Sequence, residues 1–264
     1  MAQQRTAFAG GSADSVTMEL QALMHMAALG EAAGAEDLEH LDGPAGAFNS
    51  LRMADLVSSV LELKGIRSPV LDWGCGYGQI SWLLERRGIR VISCDIERRP
   101  ARDYIPELRS LHIQYTDDPV HLPLDSGTFG AVISAGVLEH VENQGASLEE
   151  IRRVLEPEGV FFIFMLPNRF SWAECIADLR GISVHPRKCT FGWASSLLEA
   201  HGFAVERKWR RQFLPRNLTG LSQKIKHAYG RYYRQIESVD RILANYLPIG
   251  IFSNVIELIA RRRE

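Results

Sequence analysis

Apolar residues recur at helical spacing early in the chain and then switch to short continuous runs separated by glycines. In Ala13–Ala33, Leu20, Leu23, Met24 and Ala27 repeat every three or four residues, which predicts a helix with Ser12 as its N-cap. Gly34–Gly46 reads as an acidic, glycine-bearing linker. A second helix is predicted over Asn49–Leu63, with Leu51, Leu56, Val60 and Leu61 on one face and Gly65 as its stop. The period then changes. Pro69–Trp73, Arg90–Asp95, Leu111–Tyr115, Phe129–Ala135 and Gly159–Met165 are apolar runs of strand length. Helices are predicted between them at Ile80–Arg87, Ala101–Leu108 and Leu148–Leu155. Strands alternating with helices imply βαβ units, a mostly parallel sheet and helices on both of its faces. A helix at Thr190–His201 and strands at Phe203–Trp209 and Ser253–Ala260 complete seven strands.

These runs divide the chain into 1–66, an N-terminal tail with two cap helices; 67–212, a doubly wound α/β core; 213–250, an insert; and 251–264, the last strand. The insert is too long for a simple hairpin. Leu221, Ile225, Tyr229, Tyr232, Ile236, Val239 and Leu243 recur in it at helical spacing, with Gly230 as a break.

Charge alters this picture in two places. The net charge is only -2, so no overall field favours nucleic acid. Yet Ser12–Gly46 holds seven acids and no Lys or Arg, while Arg207–Arg234 holds nine Lys or Arg and no acid. The basic stretch is either a solvated face or a surface for an anionic partner. The four cysteines, Cys75, Cys94, Cys175 and Cys189, form no CxxC pair, so neither a zinc site nor a disulfide framework is expected. Met1–Gly11 has no apolar core of the signal-peptide type, and the longest apolar runs are too short to span a bilayer. A cytoplasmic protein is expected.

The candidate chemistry begins at Val70-Leu71-Asp72-Trp73-Gly74-Cys75-Gly76-Tyr77-Gly78, which closes a strand and opens a helix. Open α/β sheets bind ligands at that position. The glycines allow a tight turn and close approach of a ligand to the backbone. A dinucleotide site needs G-x-G-x-x-G, and here its last glycine would fall on Gln79. The pattern is instead G-x-G-x-G preceded by the acid Asp72. Asp95 ends the second strand, where a carboxylate can accept both hydroxyls of a ribose, and Ile96 follows it. His140 and His185 are imidazoles within loops and are candidate bases.

The glycine segment resembles the first motif of the class I (Rossmann-like) S-adenosylmethionine-dependent methyltransferases, D/E-x-G-x-G-x-G. Further stretches carry the same resemblance. Asp117-Asp118-Pro119-Val120-His121-Leu122-Pro123-Leu124, with Asp125–Phe129, is similar to the family's D-A-x-x-L-P-F…D-x-S-F-D. Val137-Leu138-Glu139-His140-Val141 matches its V-L-E-H-V, and Arg153–Gly159 its turn into the fifth strand. The resemblance is greatest to the type 11 group, which includes the ubiquinone-biosynthesis O-methyltransferases. It implies S-adenosyl-L-methionine as cofactor and S-adenosyl-L-homocysteine as product. The implied contacts are Asp72, Gly74, Cys75, Gly76, Gly78, Asp95, Ile96, Asp117, Asp118 and Ala135. Asp72 would face the cofactor's ammonium, Asp95 its ribose and Ile96 its adenine. Either Asp117 or Asp118 would meet the adenine amino group. With Asp118 the following residue is Pro119, which has no N–H to offer a ring nitrogen; with Asp117, Asp118 supplies one. Gly130 stands where relatives have Asp, and Glu158 where they have Gly.

The resemblance leaves the acceptor open. Arg169, Phe170 and Trp172 follow the fifth strand, and His185, Arg187 and Lys188 come soon after, partly matching a P-N-x-x-S…H-x-R pattern of some type 11 members. A small-molecule or lipid-linked acceptor, methylated at oxygen with His140 or His185 as base, is the reading that results. No metal is required. The basic insert allows a lid over the cleft or a peripheral contact with an anionic membrane. Three rival readings compete with it: a non-catalytic scaffold of the same fold, an NAD-dependent oxidoreductase, and a nucleic-acid methyltransferase. Asp72 and Gln79 disfavour the second, and net charge disfavours the third.

Overall fold

The computed structural model describes residues 13–33, 43–181, 185, 187–214, 225, 228–229, 231–246 and 248–264. The expected tail, Ser12, linker positions 34–42, Leu221, Lys224, Lys226, His227 and Gly230 lie outside them. Seven strands follow in chain order: β1 (Val70–Trp73), β2 (Val91–Asp95), β3 (Ile113–Tyr115), β4 (Phe129–Ala135), β5 (Leu155–Pro167), β6 (Phe203–Arg211) and β7 (Val255–Arg262). They form one sheet in the order β3-β2-β1-β4-β5-β7-β6. Only β7 runs against its neighbours. The chain winds outward from β1 through β2 to β3, then returns to add β4 on the other side. That reversal opens a crevice at the carboxyl ends of β1 and β4.

Successive residues of a strand face opposite sides of a sheet. On one side Ala131, Ile133, Phe162 and Phe164 join a core with helices α1 (Ala13–Ala32), α2 (Gly43–Lys64) and α3 (Gln79–Arg86). On the other, Val132, Phe161 and Ile163 pack with Leu148 and Ile151 of α5 (Gln144–Val154) and Leu198 of α7 (Phe191–Ala200). Full burial of each such phenylalanine contributes roughly 1.5–3 kcal/mol.

Helix α2 runs the height of the sheet. At its carboxyl end Lys64 pairs with Glu206 of β6 (3.0 Å). Further up, Arg52 grips the buried Glu257 of β7 with two bonds (3.0 and 2.6 Å). Trp209 Nε1 donates to the same carboxylate at 2.8 Å. Asn49, near the amino end, donates to Met165 Sδ at the top of β5 (3.2 Å). The helix thus covers the sheet along its length and brings only its amino end to the crevice. Helix α1 lies outside it, with Glu19 paired to Arg87 at 2.9 Å.

Three local expectations are revised. The second helix starts at Gly43, because Pro44 in the first turn lacks only an N–H that would be unbonded there anyway. Ala101–Leu108 is not one helix: a 3-10 turn over Pro100–Tyr104 and a short α4 (Pro106–Arg109) are separated at Ile105, which is extended as a residue before proline tends to be. A helix α6 (Trp172–Leu179) appears where none was predicted. At Gly130, where relatives have Asp, a Cβ would sit 2.4 Å from Ile66 Cγ2, so a side chain there needs Ile66 to move.

The insert stands on the crevice side, since it leaves the top of β6 and enters the top of β7. Its helix α8 (Tyr233–Asn245) is held by the buried Asp240, which accepts from Gln212 N (3.1 Å) and Leu214 N (2.7 Å). Arg211 pairs with Glu237.

Candidate active site

The glycine loop takes the shape its sequence requires. Gly74, Gly76 and Gly78 all have positive φ (69°, 59° and 91°). Gly74 and Cys75 donate their N–H groups to Cys94 O, which fixes the loop to the top of β2. A Cβ on Gly74 would meet Val137 at 2.4 Å, so the glycine loop and the loop leaving β4 are in contact. Gly76 N–H donates to Asp95 Oδ2 (2.7 Å), and Glu97 N–H to Oδ1 (2.9 Å). Each carboxylate oxygen keeps a further lone pair for a ligand. Ile96 beside it is 65% exposed, an apolar side chain left open at the crevice rim.

Asp72 lies deeper than a residue of the open crevice. It is buried and accepts from Ser81 Oγ (2.6 Å), which in turn accepts from Ser93 Oγ (2.8 Å). Burial, with the nearby Asp95 charge adding to it, pushes its carboxyl up to about 6. Two carboxyl groups beneath one glycine loop repel a pyrophosphate and suit a ligand whose end carries an ammonium. Cys75 is half-buried, and burial pushes its thiol up.

Asp117 and Asp118 are both exposed at the top of β3. Asp118 Oδ1 accepts from Val120 N (2.8 Å) and His121 N (2.9 Å), bonds that lower its pKa. Its own N–H donates to Thr116 Oγ1 (3.1 Å). The Asp117 carboxylate has no hydrogen bond among the described residues, so it is the acid open to a ligand, although the neighbouring N–H is already engaged.

Ala135 ends β4, half-buried, and the V-L-E-H-V loop follows. Ser134 Oγ and Glu139 Oε2 are buried there without a hydrogen-bond partner. Burial pushes Glu139 up to about 7. Buried polar atoms in native proteins are nearly always bonded, so these two at the crevice keep hydrogen-bonding capacity for a ligand or water. His140 is half-exposed, with Nε2 4.0 Å from Glu139 Oε1 and its ring 6.0 Å from that of His185.

His185 has the stronger geometry. Its Nδ1 lies 2.7 Å from Glu174 Oε1. A carboxylate there accepts the Nδ1 proton and leaves Nε2 as the basic nitrogen. Glu174 is set by the start of α6, where Ser171 Oγ accepts from Glu174 N (3.0 Å). Sequence reasoning missed Glu174; the Ser-x-x-Glu capping pattern at Ser171-Trp172-Ala173-Glu174 was the available signal. Of Arg169, Phe170 and Trp172, which follow the fifth strand, only Arg169 lines a cavity here. Trp172 donates its indole N–H to Phe213 O (2.7 Å), and Phe170 is exposed to solvent.

Comparison with known proteins agrees with this geometry. Residues 71–163 match the model of a methyltransferase domain family. A ubiquinone biosynthesis O-methyltransferase of Xanthomonas oryzae pv. oryzae (strain PXO99A) is 34% identical over 140 residues, which cover 51% of this chain and 56% of that protein. The chain therefore spans about half the length of the curated relatives it matches. Among solved structures, a SAM-dependent methyltransferase of Thermotoga maritima superposes with a TM-score of 0.53 at 14% identity, covering 81% of this chain and 89% of the other. The 1,6-didemethyltoxoflavin-N1-methyltransferase of Burkholderia thailandensis, solved with S-adenosylhomocysteine, gives 0.50 at 18% identity, covering 81% and 79%. Over residues 71–163, the stretch that holds the glycine loop, Asp95 and the loop leaving β4, the chain is similar to a methyltransferase domain family.

Proposed function

We propose that the protein transfers a methyl group from S-adenosyl-L-methionine to a hydroxyl of a small-molecule or lipid-linked acceptor, with His185 as the base. The observation that carries this is the Glu174–His185 pair in the crevice beside the loop that packs on Gly74. The residues fit the cofactor: Asp95 for the ribose, Ile96 and Asp117 for the adenine, and Asp72 with the glycine loop for the amino-acid end. When bound, S-adenosylmethionine supplies an electrophilic methyl on a sulfonium. The chain's own part is to orient the acceptor, exclude water and accept the hydroxyl proton on His185 Nε2. The oxygen–methyl bond forms as the sulfur–methyl bond breaks. Likeness to a relative named for O-methylation supports oxygen as the nucleophile. The test is transfer of labelled methyl to a panel of phenols and prenylated phenols; transfer to amines alone overturns the oxygen assignment.

A second reading concerns the insert. Val239 and Ile242 of its helix, with Tyr246 just past the helix end and Phe252, expose apolar surface (49%, 65%, 63% and 51%). Arg231 and Arg241 are exposed on the same segment. An apolar face flanked by cations suits an anionic membrane surface or a lipid tail. No helix among the described residues is long and apolar enough to cross a membrane. Co-sedimentation with phosphatidylglycerol vesicles and not with phosphatidylcholine ones supports the membrane contact, and equal failure with both overturns it.

A further inference from the structure

We infer that the acceptor carries a single carboxylate, held by Arg169 in a cavity whose wall is Trp193. This rests on reading the crevice beside the glycine loop as the acceptor's place. The cavity, of about 840 Å³, lies between Arg169 after β5, His185, Arg187 and Lys188 of the segment before α7, and Trp193 in α7. Its size suits a ligand of a few rings.

The walls are built, not incidental. Asn168 forms a bridge with Cys189. Arg169 N–H donates to Cys189 O (2.8 Å), and Cys189 N–H to Pro167 O (2.7 Å), so the two segments are zipped together. Arg187 donates to Val141 O and, at 3.0 Å, to Glu142 O. That joins the cavity to the loop whose Val137 packs on Gly74.

The charges select the ligand. Lys188 is bonded to both oxygens of Asp178 (2.6 and 2.5 Å) and paired with Glu174 (3.3 Å). Arg187 commits two of its five N–H donors to carbonyl oxygens, which leaves its charge unbalanced. Arg169 is exposed, and its guanidinium has no hydrogen bond or ion pair among the described residues. Three cations, Arg169, Arg187 and Lys188, stand against two carboxylates, Asp178 and Glu174, an excess of one positive charge among these five side chains. A carboxylate supplies the matching single charge in the planar form that a guanidinium binds with two parallel bonds. Phosphate would bring more charge than the cavity balances. Trp193, 40% exposed, offers an aromatic face for the acceptor's body.

The experiment titrates the full chain with benzoate, with its neutral isostere benzamide and with inorganic phosphate, reading tryptophan fluorescence, and measures S-adenosylhomocysteine binding separately by calorimetry. The expected result is benzoate binding at least tenfold tighter than benzamide or phosphate. Arg169→Gln should reduce benzoate to the benzamide level and leave S-adenosylhomocysteine affinity unchanged; the side chain is exposed, so the fold should survive. Benzoate and benzamide binding alike, phosphate binding tighter than benzoate, or an Arg169→Gln variant that binds benzoate normally would each overturn the inference. Loss of benzoate discrimination with intact S-adenosylhomocysteine binding sinks this inference alone. Absent S-adenosylhomocysteine binding with benzoate discrimination intact sinks the methyl-transfer reading alone.

Discussion

Gly76 donates its backbone N–H to Asp95 at 2.7 Å, so the acid placed for the ribose also braces the glycine loop that faces the ligand. Replacement of Asp95 should therefore strike twice. Asp95→Ala should weaken S-adenosylhomocysteine binding by more than tenfold, and Asp95→Asn, whose amide oxygen can still accept from Gly76, should lose less. Calorimetric titration checks both. An alanine variant that binds as tightly as the parent would defeat the ribose assignment.

Gly74 has no room for a side chain. Its φ is +69° and a Cβ would meet Val137 at 2.4 Å. Gly74→Ala should lower stability by roughly 2 kcal/mol, from left-handed strain and overpacking together. It should also displace the loop leaving β4. Chemical denaturation reads the first effect and ligand titration the second; an unchanged midpoint would contradict the contact.

The pair Glu174–His185 predicts a kinetic signature. His185→Gln should lower kcat by about 10²–10⁴-fold on a hydroxyl acceptor, the range of general-base catalysis. Glu174→Gln should lower kcat less and change its pH profile, because the amide no longer fixes the Nδ1 proton. His140→Gln should retain most of the turnover. If His140→Gln proves the crippling change and His185→Gln is mild, the base assignment is reversed.

Glu139 should make stability depend on pH. Its folded pKa, pushed up to about 7 by burial, lies above the unfolded value of roughly 4.3. The fold favours the protonated carboxyl, so this group's contribution is full below about pH 4.3 and is lost as pH rises through about 7. Glu139→Gln removes that dependence. Relative to the parent, the variant should gain about 3 kcal/mol between pH 4.5 and pH 8. A difference that stays flat across that range would contradict the buried ionisation.

Arg52 and Glu257 tie α2 to β7 across the sheet face, with Glu257 wholly buried. Arg52→Ala leaves that carboxylate with the Trp209 indole as partner. It should cost roughly 3–5 kcal/mol, the usual result of breaking a buried pair, and a cooperative melt several degrees lower would show it.

The site was legible in the sequence where chemistry and backbone coincide. Gly74, Gly76 and Gly78 announce positive φ because few other residues tolerate it, and β4 was found at its bounds, Phe129–Ala135, because its apolar run is unbroken. Glu158 shows the same rule from the other side: it takes φ 64° where relatives carry glycine, and it pairs with Arg261. Contacts between distant segments were not legible. Arg52 and Glu257 are 205 positions apart, and no spacing pairs them. His185 was visible as a lone imidazole, but nothing in its own segment names Glu174, 11 positions earlier, as its partner. The burial of Asp72 was hidden as well, since Ser81 and Ser93 reach it from the next helix and the next strand.

The central claim is that this crevice binds an adenosyl-sulfur cofactor. Thermal unfolding with S-adenosylhomocysteine, and separately with NAD, each at high concentration, tests it most directly. A ligand at about a hundred times its dissociation constant adds roughly 2.7 kcal/mol, a rise of about 5–10 °C for a chain of this size. The account predicts that rise with S-adenosylhomocysteine and none with NAD. A rise with NAD alone would contradict it.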